Sequence, residues 1–357
     1  MPQLIEDEQI IIITPGGGSG SSSSGTDVIS TDPVLSSEVG DVEFVVSADS
    51  AKIEISNDDG SVIFSSSPSS LNGKCRAYDV ADVIAEDLKS RNMSFGLYKI
   101  AEKVSNSSVS LKVLLSDRVI SGGYAAASKF PLMSADVGVL PSFGNASVYT
   151  VPQSISGVRF LVSVVGYDVD GVRQNGSFYV NPSRIVDDAI AVFDFTPEEL
   201  VLYVNENCHF SFEFDSLVTI RVQSVSGTQY ISASFYVIDD PDMLEFRFRN
   251  NFGLFEYVYF HAEAVPEMKD DAQLAYLGNR VLQYDVEHSQ SFSVQVSNLS
   301  ASEWQCISQF ISSREIYDGY GRQILLSDVS TEMCKTYDGL GSFKFSYRYA
   351  DSRLIAD

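Results

Sequence analysis

From Met243 to Ala264 the chain reads MLEFRFRNNFGLFEYVYFHAEA. Leu244, Phe246 and Phe248 alternate with Glu245, Arg247 and Arg249. Successive side chains of a strand point to opposite faces, so this period of two predicts a strand with one dry and one wet side. Asn250, Asn251 and Gly253 then supply turn chemistry, and Phe255 to Ala262 predicts the next strand. Here Phe255, Tyr257 and Tyr259 fall on one face and Glu256, Val258 and Phe260 on the other, so both faces are expected to be covered. Phe252, Phe255, Tyr257 and Tyr259 are candidate packing or interface aromatics. The pattern leaves open whether the cover is the chain's own core or a neighbour in an assembly.

The same rhythm extends outward. Downstream, Met268–Val281 reads as polar and irregular, and Leu282–Val286, Ser291–Val296 and Gln323–Leu326 as strands. In Ser342–Tyr349, Phe343, Phe345 and Tyr347 alternate with Lys344, Ser346 and Arg348. One helix interrupts them: Ser300-x-x-Glu303 is a capping-box signature, with Trp304, Ile307, Phe310 and Ile311 on its apolar face. Trp304 joins the candidate aromatics. Upstream, Arg159–Gly166, Ser177–Val180, Ile190–Phe195, Leu200–Val204, His209–Phe214, Leu217–Val222 and Tyr230–Ile238 are predicted strands. The loop YDVDGVRQNG carries Asp168-x-Asp170-Gly171 but lacks the later carboxylates of a calcium loop, and reads as a hairpin tip. Asp41–Ser47, Lys52–Ser56 and Ser61–Ser65 are strands, and Val80, Val83, Ile84 and Leu88 mark one face of a short helix over Asp79–Arg91.

Short, closely spaced strands with few helices predict an all-β chain: two β-sandwich or barrel-like domains, one or two short covering helices and a flexible N-terminal arm. The arm spans residues 1–40, and the β-rich domains 41–187 and 188–357. Within the arm, Ile10, Ile11, Ile12 and Ile13 precede the linker PGGGSGSSSSG (15–25), which has almost no side chains to pack. Four consecutive isoleucines require cover. They pair with the chain's own sheet or, as a candidate inter-subunit arm, add to the sheet edge of a neighbouring copy.

With 48 acidic against 24 basic residues, the net charge is −24. Such a surface is repelled by nucleic acid and by anionic membrane faces, so neither is an expected partner. No apolar run approaches membrane-spanning length. The acidic start, MPQLIEDE, is unlike a basic leader, and synthesis in the cytoplasm without export by its own signal is expected. Cys75, Cys208, Cys306 and Cys334 are widely spaced and read as free thiols. No motif for a nucleophile elbow, a zinc protease or a phosphate loop occurs. Neither an enzyme, a cofactor nor a metal is expected.

The C-terminal third resembles a group of proteins encoded by phages and prophages of Bacteroidetes hosts. The shared features, in order, are FRFRNNFGLFEYVYFHAEA (246–264), RVLQYDVEHSQSFSVQV (280–296), the helix SASEWQCISQFISS (300–313) and ILLSDVSTEMCKTYDGLGSFKFSYRYAD (324–351). The resemblance implies a structural component of the virion, of the tail or baseplate and its tip. The expected partners are further copies of the chain in a symmetric homo-oligomeric ring, with a heterologous interface, and other virion tail proteins. It carries no catalytic residues and does not extend to residues 1–185. The alternative is a receptor- or glycan-binding module on the phage surface, with Tyr317, Tyr320 and Tyr337 beside turn glycines and a host-surface glycan as ligand.

Overall fold

Each half-dry strand must bury its apolar side. In the computed structural model, three groups of sheets do so. The structure describes residues 11–13, 27–29, 33–152, 154–227, 229–277, 280–299, 301–332 and 341–351.

The first unit contains β1 (Ile11–Ile13), β2 (Asp27–Ile29), β3 (Val34–Leu35), β4 (Val42–Val45), β5 (Ile53–Ser56), β6 (Val62–Ser66), β7 (Lys74–Ala77), α1 (Val80–Ser90), β8 (Phe95–Glu102) and β9 (Ser107–Leu114). One sheet has the order β1-β4-β7; the other runs β2-β9-β8-β5-β6, with β3 also beside β9. Alternate residues, such as Phe44 of β4, Ile53 of β5 and Ile100 of β8, meet in one core, which makes a β-sandwich. Helix α1 lies where its periodicity predicts, with Val80, Ile84 and Leu88 buried.

The second unit is also a sandwich. It contains α2 (Gly123–Ala127), β10 (Val137–Pro141), β11 (Ala146–Thr150), β12 (Arg159–Asp168), β13 (Arg173–Val180), β14 (Arg184–Val186), β15 (Ile190–Phe195), α3 (Pro197–Cys208), β16 (Phe212–Ser226) and β17 (Gln229–Ile238). A five-stranded sheet, β10-β17-β16-β12-β13, faces a three-stranded one, β11-β15-β14. Phe160, Phe193 and Phe235 are among the residues between them.

The third unit contains β18 (Leu244–Arg249), β19 (Phe255–Phe260), β20 (Ala264–Leu277), β21 (Arg280–Leu299), α4 (Ala301–Ser312), β22 (Ile316–Asp318), β23 (Gln323–Glu332) and β24 (Gly341–Tyr349). They form one seven-stranded antiparallel sheet, β19-β18-β22-β23-β24-β21-β20, covered by α4. Phe310 of the helix is fully buried among the rings of Phe246, Phe248, Phe260, Phe343 and Phe345, at centroid distances of 5.5–6.4 Å.

The chain is all-β, as expected, with three corrections in detail. First, packing does not divide at 187/188. That point lies inside the β14–β15 hairpin, where Val186 pairs with Ile190, and a single core spans it. Second, Leu200–Val204, expected as a strand, belongs to α3. Thr196 and Glu199 form a reciprocal capping box with Pro197 in the first turn, and Leu200, Val201 and Val204 are buried at helical spacing. Third, Met268–Val281, expected to be irregular, lies largely in β20, paired with β21 from Ala264↔Val294 to Leu277↔Arg280. Strand β24 accompanies β21 only over Phe292–Leu299, so beyond it the hairpin runs as a two-stranded ribbon for about 35 Å. Among the described residues no third strand supports it, so no apolar stripe marked its β20 half in sequence, whereas Leu282–Val286 of β21 was read as a strand.

Strand β1 pairs in parallel with β4 of its own chain, Ile11 opposite Val42 and Ile13 opposite Phe44. Ile10 and the linker at 15–25 lie outside the described residues. Among the described residues, no helix is long and apolar enough to cross a membrane.

Removing a ring from the Phe310 cluster leaves a cavity that a sheet on one side and a helix on the other can fill only partly. Phe310→Ala is expected to destabilise the third unit by about 3–5 kcal/mol. Urea unfolding followed by the fluorescence of Trp304, the single tryptophan, reads this unit. An unchanged midpoint would show that α4 does not close the core.

Candidate functional site

The turn between β18 and β19 is the point at which all three units meet. The Asn250 side-chain oxygen accepts from the backbone N–H of Phe252 at 2.9 Å and of Leu254 at 3.1 Å. Its amide nitrogen donates to the Leu132 carbonyl at 3.0 Å and to Glu256 Oε1. Gly253 adopts φ +74°, and a Cβ there would sit 2.8 Å from Leu115 Cδ2, so the turn presses against the first unit. Phe252 and Leu254 enter a core with Leu35, Phe95 and Leu114 of the first unit and Tyr149, Ile190 and Val192 of the second.

Hydrogen bonds fasten the same junction. Asp117 N–H donates to the Asn251 carbonyl at 3.0 Å, and Asn251 N–H to Gln309 Oε1 at 3.0 Å. Asp187 Oδ2 accepts from Ser94 and Phe95 N–H at 2.6 and 2.9 Å, tying the second unit to the first. Tyr149 donates to the Phe255 carbonyl at 2.5 Å, and Tyr259 donates to the Asn145 carbonyl at 2.8 Å.

Glu256 is the chemical centre of the junction. It is buried, with Oε1 accepting from Ser134 N–H at 2.7 Å and Oε2 at 2.6 Å from the Ser134 hydroxyl. Burial pushes its carboxyl up to about 7, against the opposing effect of these hydrogen bonds. Burial, with the Glu256 charge adding to it, also raises the Cys306 thiol to about 12, so that sulfur stays protonated and unreactive.

The sequence candidates separate here. Phe252 and Tyr259 are buried, and Phe255 and Tyr257 half-buried, all at the junction; Arg249 and Arg247 stack over Phe255 at 4.3 and 4.7 Å. Both faces of β19 are covered, and the cover is the chain itself: Val258 and Phe260 pack under α4, Tyr257 and Tyr259 against the second unit. Trp304 lies apart, half-buried on α4, with Gly341 so close that a Cβ would meet Nε1 at 2.6 Å. Ile11, Ile12 and Ile13 belong to the first unit's sheet. Glu256 was missed as a site residue, although its signal was present: alternation puts an acid on the dry face beside Val258 and Phe260.

A cleft of about 320 Å³ opens beside the junction, between Lys89, Asn92 and Leu115 on one side and Arg249, Ser313 and Glu315 on the other. The Arg249–Glu315 ion pair, 2.6 Å long, occupies part of its wall. The Asp168–Gly171 loop is a hairpin tip, as read: Asp168 Oδ1 accepts from Asp170 and Val172 N–H. Among the described residues no three His, Cys, Asp or Glu side chains are grouped to hold a metal, and Cys75, Cys208 and Cys306 are free. Cys334 lies outside the described residues.

No family model and no curated protein matches the chain. Solved structures are similar only weakly, these two among them. One is Escherichia coli alpha-2-macroglobulin activated by porcine elastase, at TM-score 0.19 and 9% identity, covering 86% of this chain and 31% of that one. The other is the N-terminal eight Ig domains of Down Syndrome Cell Adhesion Molecule, at TM-score 0.17 and 8% identity, covering 91% and 45%. The chain therefore spans less than half the length of either.

The junction has a pH dependence that follows from Glu256. An unfolded carboxyl titrates near 4.5 and the folded one near 7. Between these values the folded state keeps a proton that the unfolded state gives up. Stability is therefore greatest below the lower value, falls as pH rises through the window by about 3 kcal/mol, and levels off above 7. Glu256→Gln keeps the acceptor toward Ser134 N–H and Asn250, and its amide can donate to the Ser134 hydroxyl. Urea midpoints across the window should decline for the wild type and lose that component in the variant. Parallel profiles would show that Glu256 is ionised in the folded protein.

Proposed function

We propose that the chain is a non-catalytic structural component of a bacteriophage virion, placed in the tail or baseplate and tail tip. It would assemble as a symmetric ring with copies of itself and with other tail proteins. The observation that carries this reading is the extent of the resembling stretch. The described residues of 246–351 fall within one folded unit, the seven-stranded sheet with α4, as a shared domain would. A second support is mechanical: three β-units joined through a common core make a block suited to a repeating wall. Fold and station in a virion are separate matters, and β-modules serve many roles.

The test is immunogold electron microscopy of phage particles from cells that encode the chain. Label on tails or tail tips is the expected outcome; particles free of label would remove the reading.

One observation favours a receptor- or glycan-binding module instead. Tyr320 is 92% exposed at the β22–β23 turn, while Tyr317 is packed against Phe255 and bonded to Glu315. Tyr337 lies outside the described residues. Under that reading, binding on a glycan array is lost in Tyr320→Ala, and a blank array for the wild type disposes of it.

A further inference from the structure

The outer face of the second unit's five-stranded sheet has a composition unlike the rest of the surface. Its strand segments 137–141, 159–167, 173–180, 218–226 and 229–238 contain no Asp, Glu or Lys, in a chain with 48 acids. Their charges are Arg159, Arg173 and Arg221, all exposed. Acids return at the margins, at Asp136, Asp168 and Asp239 and in the first part of β16, at Glu213 and Asp215. The first unit's sheets mix charges on their wet faces, as Glu43 with Lys74 and Glu54 with Lys52.

Several arginines elsewhere are committed to carboxylates: Arg76 to Asp41, Arg91 to Asp58 and Asp87, Arg184 to Asp194, Arg249 to Glu315, Arg322 to Asp351. Among the described residues, none of the three on this face has a carboxylate partner. Arg221 Nη2 lies 3.4 Å from the Ser232 hydroxyl.

Four tyrosines frame the same face: Tyr230, Tyr236, Tyr179 and Tyr167 are 61, 56, 57 and 44% exposed. Register aligns them in rows, Tyr230–Val225–Arg159 at one end and Tyr236–Thr219–Val165 further along, with Leu161 opposite Tyr179. Strand spacing and rise make the face about 24 Å by 24 Å, or roughly 600 Å², close to the share of about 800 Å² that one partner gives to a stable interface. Tyrosine and arginine without lysine or acid is the composition of interface centres. Left bare, a flat sheet face with so few charges invites association.

We propose that this face is a docking surface whose occupant is a second copy of the chain, which presents its acidic surface to the three arginines. Charge complementarity argues for that occupant: the face carries three positive charges and the whole chain −24. Two such faces cannot meet each other without opposing arginines, so the contact is heterologous and repeats head to tail. The proposal rests on the assembly reading above and names the surface that builds it.

The test is the mass of the full-length chain by sedimentation, at about 50 and about 500 mM salt, where screening lengths differ severalfold. The wild type is expected to associate at low salt and to dissociate at high salt. Arg221→Glu and Tyr236→Ser should each weaken association at least about tenfold. Both side chains are exposed, so urea unfolding followed by far-UV circular dichroism, which reads the strands of every unit, should stay unchanged and report an intact fold. An oligomer that persists in both variants overturns this face and leaves the assembly reading standing. A wild type that stays monomeric at low salt overturns both. A monomer retained on heparin or single-stranded DNA through Arg221 also overturns the second copy, in favour of an anionic polymer.

Discussion

The structure depends on one buried turn being fully hydrogen-bonded. A loop inside a protein carries backbone donors and acceptors that water cannot reach, each costing about 1–3 kcal/mol if left unpaired. Asn250 solves this with one side chain: its oxygen takes two turn N–H groups and its amide serves Leu132 and Glu256. With the turn satisfied, Phe252 and Leu254 enter the joint core without leaving polar groups stranded. The third unit is thereby held to the first and the second through the same few residues. Independent β-modules on linkers would move relative to one another; modules sharing a core and this network of bonds form one block.

Glu256 adds a condition to that block. A buried carboxyl is tolerated because it can hold a proton, and Ser134 and Asn250 define where its oxygens lie. Double-sided cover of β19 requires this arrangement: Tyr259 on one face reaches the second unit while Val258 and Phe260 on the other meet α4. An apolar residue at 256 would leave Asn250 and Ser134 searching for partners in a space closed to water.

What the sequence revealed followed from how many faces of an element are buried. β18 and β24 alternate apolar with polar residues, and that alternation was plain; α1 and α4 were legible from helical spacing. Leu200–Val204 misled because Leu-Val-Leu-Tyr-Val is a β-rich run, and only the Thr196–Glu199 box with Pro197 marks it as a helix. Within the β20–β21 ribbon, whose β21 half was legible at Leu282–Val286, β20 escaped for the opposite reason: among the described residues the ribbon has two strands and no sheet beneath, so β20 needs no apolar stripe. The border at 187/188 misled because Asp187-Asp188 is a turn within a hairpin, where both residues take positive φ, and turns inside a domain look like turns between domains. The aromatics at 252–259 were recognised as buried, yet only three-dimensional packing shows that the cover is this chain's own second unit.

Rigidity and the bare Tyr/Arg face bear on one another. Association is opposed by the ordering of loops and side chains, about 0.5–1.5 kcal/mol for each flexible side chain immobilised. A face built on five paired strands has its backbone already ordered, and tyrosine brings large area with only two rotatable side-chain angles. Arginines with no carboxylate partner among the described residues lose no ion pair there when a partner's acid arrives, whereas Arg249 or Arg91 would have to break one. A face somewhat smaller than a standard interface can then be sufficient if the proposed ring closes, since closure would make each contact support the others through high effective concentration. The acidity of the remaining surface works in the same direction: it opposes random contact between copies and leaves this sheet as the place where approach is electrostatically favoured.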